Sequence, residues 1–244
     1  MPQLQNNPIR QYVATISFVV VTVVLSLLSL LAALDRSGKS YFVLARLWSQ
    51  SFCFLFGVKI AVIGAKNIKK DEHYVFVVNH SSYTDIPICF VAIPKNIRLI
   101  LRHTLTQIPI WGWALNLSPM IIINRSSASK SKKTLDNAIK TIKNGASILL
   151  FPEGTRTKDR TLQSFKRGAF HLAYASGASV LPIAIKGTFE LMSKSDKLPK
   201  TNRTIIVKIG TPLEVSKSIT GDRENELDLL QRTQEAISNL LETA

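Results

Sequence analysis

A histidine and an aspartate stand five residues apart in the stretch NHSSYTD, which follows the apolar run YVFVV. The carboxylate of Asp85 can accept the Nδ1 proton of His80, which leaves Nε2 free to take a proton from a substrate. The alternative is an ordinary strand-to-helix turn, in which Ser81 and Ser82 cap the helix. The spacing alone does not decide between a general base and a turn.

A second polar cluster, FPEGTR, follows the apolar run SILL. Pro152 and Gly154 bracket Glu153, so the backbone turns sharply there and presents the carboxylate at the end of a strand. Arg156 carries a planar guanidinium that suits a phosphate group. A solvated basic loop is the alternative. Since no cluster of histidines and acidic residues has the spacing of metal ligands, we expect no metal and no cofactor.

Short apolar runs alternate with helical patterns on either side of these clusters. The runs predict strands over residues 74–78, 98–101, 120–123, 147–151, 180–185 and 204–209. The helical patterns cover residues 85–92, 129–143, 165–176 and 224–241. This alternation predicts an α/β fold with a mostly parallel or mixed sheet flanked by helices. Such sheets place their chemistry just beyond the carboxyl ends of strands, which is where both clusters lie.

The composition limits the classes of partner. The chain has 244 residues, 46% of them hydrophobic, and a formal net charge of +15. That charge indicates nucleic acid, a phosphorylated substrate or an anionic membrane surface. We expect no nucleic acid, because the chain has no recognised motif for it. The two cysteines, Cys53 and Cys89, lie far apart in apolar surroundings, which argues against a disulfide framework or a zinc site.

An uncharged apolar stretch near the N-terminus favours membrane attachment. It runs for 23 residues from Tyr12 to Leu34, which is long enough to span a bilayer. A cleaved signal peptide is the alternative, but this stretch exceeds the usual apolar core of about 7–15 residues. A second apolar stretch, residues 41–63, contains Arg46 and Lys59, and a charge at mid-membrane depth is costly. The two stretches therefore predict either a two-span hairpin or an interfacial helix pair in one leaflet.

Together the two polar clusters resemble the first and third conserved blocks of the glycerolipid acyltransferase family, which includes the 1-acylglycerol-3-phosphate acyltransferases. The stretch RHTLTQIPIWGW is similar to the second block, and VLPIAIKG is similar to the fourth. The residues that carry the first block are Asn79, His80, Ser82 and Asp85. The resemblance covers about residues 64–210. The composition changes at Gly64, which predicts a membrane-anchoring helical hairpin over residues 1–63, and the resemblance implies an acyltransferase domain over residues 64–244.

The resemblance also implies a reaction. His80, oriented by Asp85, would act as general base on the free sn-2 hydroxyl of lysophosphatidic acid. That oxygen would attack the thioester carbonyl of acyl-CoA or acyl-carrier protein and give phosphatidic acid, with no acyl-enzyme. Backbone amides around Ser81 and Ser82 are candidate donors to the oxyanion.

Acceptor binding follows from the same resemblance. Arg156, Arg102 and Arg125 would hold the phosphate, and Glu153 would position the glycerol hydroxyls. The full set of expected substrate-binding residues is Asn79, Ser82, Arg102, Arg125, Glu153, Gly154, Thr155 and Arg156.

One position departs from the family pattern. Members commonly carry Lys-x-Glu-Leu ahead of the Pro-x-x-Gly of the second block, whereas this chain has Arg102, His103, Thr104 and Leu105. The missing glutamate leaves the acceptor open, and a lyso-ornithine lipid or lysophosphatidylcholine is the alternative. A non-catalytic, membrane-tethered module that binds an anionic ligand is an alternative from a different class.

The implied substrates also bear on location and partners. A lysophospholipid lives in the bilayer, so the active site must lie at the headgroup plane. We therefore expect a membrane location, in the bacterial inner membrane with the catalytic domain on the cytoplasmic side. The expected partners are the bilayer, the lysophospholipid, the acyl thioester and acyl-carrier protein.

Overall fold

Helices and strands alternate in the computed structural model, which describes residues 7–35, 37–124, 128–215 and 222–243. The helices are α1 (Pro8–Ala32), α2 (Lys39–Phe56), α3 (Asp85–Ala92), α4 (Trp111–Leu117), α5 (Ala128–Lys143), α6 (Gly168–Ser176), α7 (Thr188–Leu191) and α8 (Asp222–Glu242). The strands are β1 (Lys59–Ile63), β2 (Val75–Val78), β3 (Ile97–Arg102), β4 (Ile121–Ile123), β5 (Ser147–Leu150), β6 (Val180–Lys186) and β7 (Thr204–Ile209). The six predicted strands and four predicted helices are all present, with shifts of one to three residues at some ends.

Seven strands of the described chain form one sheet in the order β1-β7-β6-β2-β5-β3-β4. Strands β6, β2, β5, β3 and β4 run parallel to one another, and β1 runs parallel to β7. The β6–β7 pair is antiparallel, so the outer pair runs against the other five. The predicted α/β fold with a mixed sheet is confirmed. Because β2 and β5 are parallel neighbours, their carboxyl ends lie side by side.

Each face of the sheet packs against its own helices. Phe76 and Val78 of β2 belong to a core that includes residues of α1, α2, α3 and α4. Val75 and Val77 point the other way and pack with residues of α5, α6 and α8. All four residues are fully buried, because successive side chains of a strand point to opposite faces and both faces are covered.

The residues Lys59–Ile63 form an edge strand of the sheet. They pair in parallel with β7, from Lys59 beside Thr204 to Ile63 beside Lys208. The apolar pattern predicts them as the end of the second apolar stretch, within the anchoring segment of residues 1–63, and that prediction is wrong for these five residues. Ile60 of the run KIAVI packs against the core, the other four residues are exposed, and the backbone groups of the run bond to a strand far along the chain.

The two N-terminal helices pack against each other through aromatic side chains. The Phe18 ring of α1 lies 5.3 Å from the Trp48 ring and 5.2 Å from the Phe52 ring of α2, measured between centroids. Trp48 Nε1 donates a hydrogen bond to Thr22 Oγ1 at 3.0 Å. These contacts make α1 and α2 one helical hairpin. Helix α2 packs against α3 and helix α1 packs against α4, and these contacts attach the hairpin to the rest of the fold.

Within the described residues, α1 alone is long and apolar enough to cross a membrane. Its large apolar side chains are mostly exposed, among them Ile9, Tyr12, Val13, Ile16, Val19, Val20, Val24, Leu27, Leu28 and Leu31. Helix α2 carries Lys39 and Arg46, and the Arg46 side chain turns inward to the Ile93 carbonyl at the end of α3, 3.5 Å away. A cation there complements the negative end of the α3 dipole. The second span of the two-span alternative is therefore not found among the described helices.

Candidate active site

The two polar clusters meet at the carboxyl edge of the sheet. His80 follows β2 by two residues, and Phe151 comes directly after β5. Because these strands are neighbours, the Phe151 ring stacks on the His80 imidazole, with centroids 4.1 Å apart and planes inclined by 16°. One face of the imidazole is thereby held against an apolar surface, which fixes the plane of the ring.

The predicted pair of His80 and Asp85 is formed. Nδ1 of His80 lies 2.8 Å from Oδ2 of Asp85, and the aspartate is fully buried, whereas the histidine side chain is 15% exposed. An ionised carboxylate only accepts hydrogen bonds, so Nδ1 carries the proton and Nε2 of the neutral ring carries a lone pair. Among the described residues, Nε2 has no hydrogen-bond partner. The ring is therefore arranged to take a proton from a bound hydroxyl.

Asp85 also organises the turn that precedes α3. Its Oδ2 accepts the backbone amides of Ser81 at 2.8 Å and Ser82 at 2.9 Å, in addition to the His80 ring. These two amides were candidate donors to an oxyanion, and that expectation is wrong because both already donate to the carboxylate. Asp85 lies in the first turn of α3, where the helix dipole favours a negative charge. The charge that orients His80 is thus stabilised by the turn itself.

Glu153 fixes the backbone of the histidine. Its Oε1 accepts the His80 amide at 2.6 Å, its Oε2 accepts the Gln163 amide at 3.2 Å, and the residue is 3% exposed. Burial raises the pKa of Glu153 above its ordinary value, and the two amides partly offset this. On the other side, the His80 carbonyl accepts the Thr157 amide at 2.9 Å. Glu153 therefore holds the His80 backbone with one oxygen, and its contact with glycerol hydroxyls stays a prediction.

Asn79 and Ser82 are likewise occupied inside the protein. The Asn79 amide donates to the Ile185 carbonyl at 3.0 Å and accepts the Ile185 amide at 2.7 Å, which ties the end of β2 to β6. Ser82 Oγ accepts from the Thr84 amide at 3.1 Å and from the Thr84 hydroxyl at 2.9 Å. These bonds give both residues a structural part in the site, and their substrate-binding role stays a prediction. Asn79 holds the strand that carries His80, and Ser82 holds the turn that carries Asp85.

Two basic side chains, those of Arg102 and Lys166, meet at Gly154 in the turn after β5, and Arg156 follows in the same loop. Arg102 Nη2 donates to the Gly154 carbonyl at 2.7 Å, so the end of β3 is joined to this turn. Lys166 lies over the glycine, where an added Cβ would be 3.1 Å from its Nζ, and the glycine φ of 72° also favours a residue without a side chain. Arg156 lies over the Tyr83 ring, with Cζ 3.5 Å from the centroid. Such a cluster of cations beside His80 is suited to a phosphate.

The remaining predicted residues contribute less. Thr155 is exposed, and Arg125 lies outside the described residues. Three contacts that position the site were not anticipated: the stacking of Phe151, the amide of Thr157 and the side chain of Lys166. Lys166 stands in the stretch SFKRG shortly after the second cluster, and a basic residue there is the one signal in the sequence. In the part of the chain that the structure describes, no group of three or more histidine, cysteine or acidic side chains could hold a metal ion.

An apolar cavity opens between the N-terminal hairpin and the sheet. Its lining includes Trp48 of α2, Ile86 of α3 and Leu101 of β3. Ile86 is the neighbour of Asp85 in the chain, and Leu101 is the neighbour of Arg102. The cavity therefore adjoins α3 and β3, the elements that carry Asp85 and Arg102, although neither of those two side chains lines it.

Comparison with known proteins agrees with this geometry. A family model described as Acyltransferase matches residues 59–186, which is more than half of the chain and contains both polar clusters. The chain belongs to the acyltransferase family. The match begins at the first residue of β1, in agreement with its position in the sheet.

Curated relatives carry a more specific name. The chain is 33% identical over 181 residues to the chloroplastic 1-acyl-sn-glycerol-3-phosphate acyltransferase LPAT1 of Arabidopsis thaliana, covering 74% of this chain and 50% of the relative. It is 27% identical over 190 residues to the 1-acyl-sn-glycerol-3-phosphate acyltransferase of Borreliella burgdorferi, covering 78% and 76%. The chain spans about half the length of the chloroplast relatives it matches.

A crystal structure shares the whole architecture. The 1-acyl-sn-glycerophosphate acyltransferase PlsC of Thermotoga maritima superposes with a TM-score of 0.78 at 24% identity, covering 96% of this chain and 97% of that one. At this level of identity the likeness shows the fold. The coverage includes the N-terminal hairpin as well as the sheet.

Proposed function

We propose that this protein is a membrane-bound acyltransferase that moves a fatty acyl group from acyl-CoA or acyl-carrier protein to the free sn-2 hydroxyl of lysophosphatidic acid, giving phosphatidic acid. The observation that carries the proposal is the His80–Asp85 hydrogen bond at a sheet edge shared with Arg102, Arg156 and Lys166. A base beside a phosphate-binding cluster fits a phosphorylated alcohol. Relatives named for this reaction support the choice of acceptor.

In the proposed reaction His80 acts twice. Its Nε2 removes the proton from the acceptor hydroxyl while the oxygen attacks the thioester carbonyl, and Asp85 stabilises the imidazolium that forms. The tetrahedral intermediate then collapses, the carbon–sulfur bond breaks, and the imidazolium returns its proton to the departing thiolate. The products are the ester and a free thiol. Burial and the nearby Asp85 charge both raise the pKa of the Cys89 thiol, and Cys53 lies in α2, so direct transfer without an acyl-enzyme is the simplest course.

The cationic cluster is assigned to the acceptor phosphate. Arg102 and Arg156 offer planar guanidinium groups for bidentate contact, and Lys166 adds a third charge. Arg125 remains a predicted fourth member of the cluster. The apolar cavity beside the site supports a substrate with a long hydrocarbon chain, because its walls offer little to a polar ligand.

The N-terminal hairpin is assigned to the membrane. The exposed apolar side chains of α1, together with Val43, Leu47 and Phe54 of α2, form a surface that water does not favour. Burying this surface in a bilayer would bring the site to the headgroup plane, where the acceptor resides. We propose a bacterial inner membrane location with the sheet on the cytoplasmic side, and acyl-carrier protein as a partner where it serves as donor. The proposal requires no cofactor beyond the acyl thioester.

Thr104 is the reason to propose an alternative acceptor. This residue stands where the family pattern has a glutamate, and it is exposed at the start of the turn after β3. A different headgroup, as in lyso-ornithine lipid or lysophosphatidylcholine, is therefore the alternative substrate.

Thiol release from acyl-CoA tests the proposal. Protein purified in detergent is given acyl-CoA with lysophosphatidic acid, lysophosphatidylcholine or lyso-ornithine lipid, and the lipid product is identified by mass spectrometry. We expect the fastest release with lysophosphatidic acid, and none with the variant His80→Ala. The matched control His171→Ala removes a surface histidine with a similar carboxylate contact and should stay active. Release with another acceptor alone would replace the proposed substrate, and no release with any acceptor would overturn the enzyme assignment.

A further inference from the structure

A cleft of about 210 Å³ with mixed polar and apolar lining lies on the side of His80 that faces β6. Its inner end is formed by Asn79, Ser81 and Glu153, the residues that surround the backbone of His80. Its walls come from the loop after β5 and from the turn between β6 and α7. We call this the β6-side cleft. It is separate from the apolar cavity, since the two share no lining residue.

The strand order separates this cleft from the arginine that ends β3. Strands β5 and β3 lie on one side of β2, and β6 lies on the other. Arg102, at the end of β3, therefore lies on one side of His80, and Lys186, at the end of β6, lies on the other. A transfer between two substrates needs two approaches to one base. The cationic cluster provides one approach, and the β6-side cleft provides a second.

The lining of the cleft combines three kinds of surface. Ile185 and Phe189 supply apolar wall, Thr161 supplies a hydroxyl, and the exposed cations Arg160 and Lys186 supply positive charge. The carboxylates of Glu153 and Glu190 also line the cleft. A fatty chain alone does not need the cations, and the acceptor phosphate is already assigned to the cationic cluster on the other side of His80. A phosphopantetheine arm needs all three, because it alternates methylene and amide segments and ends in a phosphate.

Arg160 joins the two walls of the cleft. Its backbone has φ = 69°, which is uncommon for a residue with a side chain, and the Asp159 carboxylate holds this loop by accepting from the hydroxyls of Thr157 and Thr161. The Arg160 guanidinium reaches across to α7, where Nε lies 3.2 Å from a Glu190 carboxylate oxygen. This ion pair is largely exposed, so it is weak, and a phosphate can share the guanidinium. The loop thus places a cation at the cleft by a defined backbone geometry.

We propose that the β6-side cleft binds the phosphopantetheine arm of the acyl donor, with Arg160 and Lys186 on its phosphate, and this rests on the function proposed above. The thioester carbon then lies at the inner end of the cleft, beside His80. The acceptor hydroxyl arrives from the side of the cationic cluster. The free thiol leaves along the cleft that held the arm.

Donor and acceptor kinetics of three variants test this proposal. Arg160→Gln and Lys186→Gln each remove one charge from the cleft, and we expect each to raise the KM for acyl-CoA about five- to twentyfold, since a charge-assisted contact to a phosphate is lost. The KM for lysophosphatidic acid and kcat should be unchanged. Lys158→Gln, in the same loop but outside the cleft lining, is the matched control and should leave both KM values unchanged.

Direct titration separates this proposal from the proposed function. Free CoA and 4′-phosphopantetheine are titrated onto wild-type protein and onto the double variant Arg160→Gln/Lys186→Gln, with no acceptor present. We expect both ligands to bind the wild type and to lose affinity for the double variant. Equal affinity for the two proteins would overturn the cleft assignment even if the enzyme is active. A rise in the KM for lysophosphatidic acid instead of acyl-CoA would overturn it in favour of the acceptor headgroup. An inactive wild type that still binds CoA through these residues would overturn the proposed function and keep the cleft.

Discussion

Two histidines in this protein bond a carboxylate through Nδ1 at the same distance of 2.8 Å. One pair is His80 with Asp85 at the sheet edge, and the other is His171 of α6 with Glu226 of α8. Both carboxylates are buried, so burial of the acid does not distinguish them. The distinction lies in what surrounds each ring.

The His171 ring is 45% exposed, and its carboxylate partner is shared with the Arg167 guanidinium, 3.2 Å from Glu226 Oε2. Among the described residues, no lysine or arginine side chain contacts Asp85 Oδ2, which instead accepts two backbone amides. The His80 backbone is held by contacts from another strand end, whereas the His171 amide donates within the first turn of its own helix. A His–carboxylate bond is thus common to a helix–helix contact and to a base. The base additionally needs a fixed backbone, a stacked ring and an adjoining cavity.

The largest expected effect comes from removing the two rings in turn. His80→Ala should lower kcat about 10⁴-fold, because general-base catalysis at a positioned site contributes on this order. His171→Ala should leave kcat unchanged. Both are measured by thiol release with lysophosphatidic acid. Equal losses in the two variants would show that the comparison of the two pairs is mistaken.

Replacing each of the two carboxylates by the corresponding amide gives the next largest effect. Asp85→Asn keeps the shape but removes the charge that stabilises the imidazolium, so kcat should fall about 10²–10³-fold. Glu226→Gln should leave kcat unchanged and lower the free energy of unfolding by about 1–3 kcal/mol, since a buried charged hydrogen bond is weakened. Urea unfolding followed by circular dichroism measures the second quantity. If Glu226→Gln lost activity without losing stability, α6 and α8 would have a part in catalysis.

Glu153→Gln tests whether the backbone contact matters to the base. The glutamine amide group can accept only one of the two backbone N–H groups, and its NH₂ would face the other, so the His80 backbone should shift. We expect kcat to fall about 10- to 100-fold, because small misplacements of a reacting group are costly. The KM for lysophosphatidic acid and the far-ultraviolet circular dichroism spectrum should stay the same. A change in KM alone would support the substrate-binding role of Glu153 expected from the sequence.

The smallest effect concerns Tyr83, whose ring supports Arg156. Tyr83→Ala should raise the KM for lysophosphatidic acid about threefold, which corresponds to a cation–π contact at an exposed site. Tyr83→Phe keeps the ring and should behave as wild type. Steady-state kinetics with varied acceptor measure both. An unchanged KM in Tyr83→Ala would mean that Arg156 is held without the ring.

Local patterns predicted the parts of the fold that depend on neighbours in the chain. The run before His80 indicated a buried strand, and helix α3 has its predicted bounds, because periodicity and turn residues act over a few positions. The His80–Asp85 bond was predicted for the same reason. Its partners lie five residues apart.

Contacts between residues that are distant in the chain were not predicted from the sequence. Glu153 reaches the His80 amide across 73 positions, and Asn79 reaches Ile185 across 106. In both cases the side chain bonds a backbone group, which every residue carries, so no residue type marks the partner. Strand β1 was missed for a related reason. Its apolar run continues that of α2, and only pairing with β7 makes it a strand.

The pairing of β1 with β7 also orders events during synthesis. Strand β7 leaves the ribosome after the other six strands of the sheet, so the β1 edge stays open until the rest of the sheet has been made. Helix α1 leaves before all seven strands, and under the proposed membrane attachment it can enter the bilayer while the sheet is still incomplete. The newborn protein would then be tethered before its last strands pair. On this schedule the enzyme matures at the lipid surface where it works.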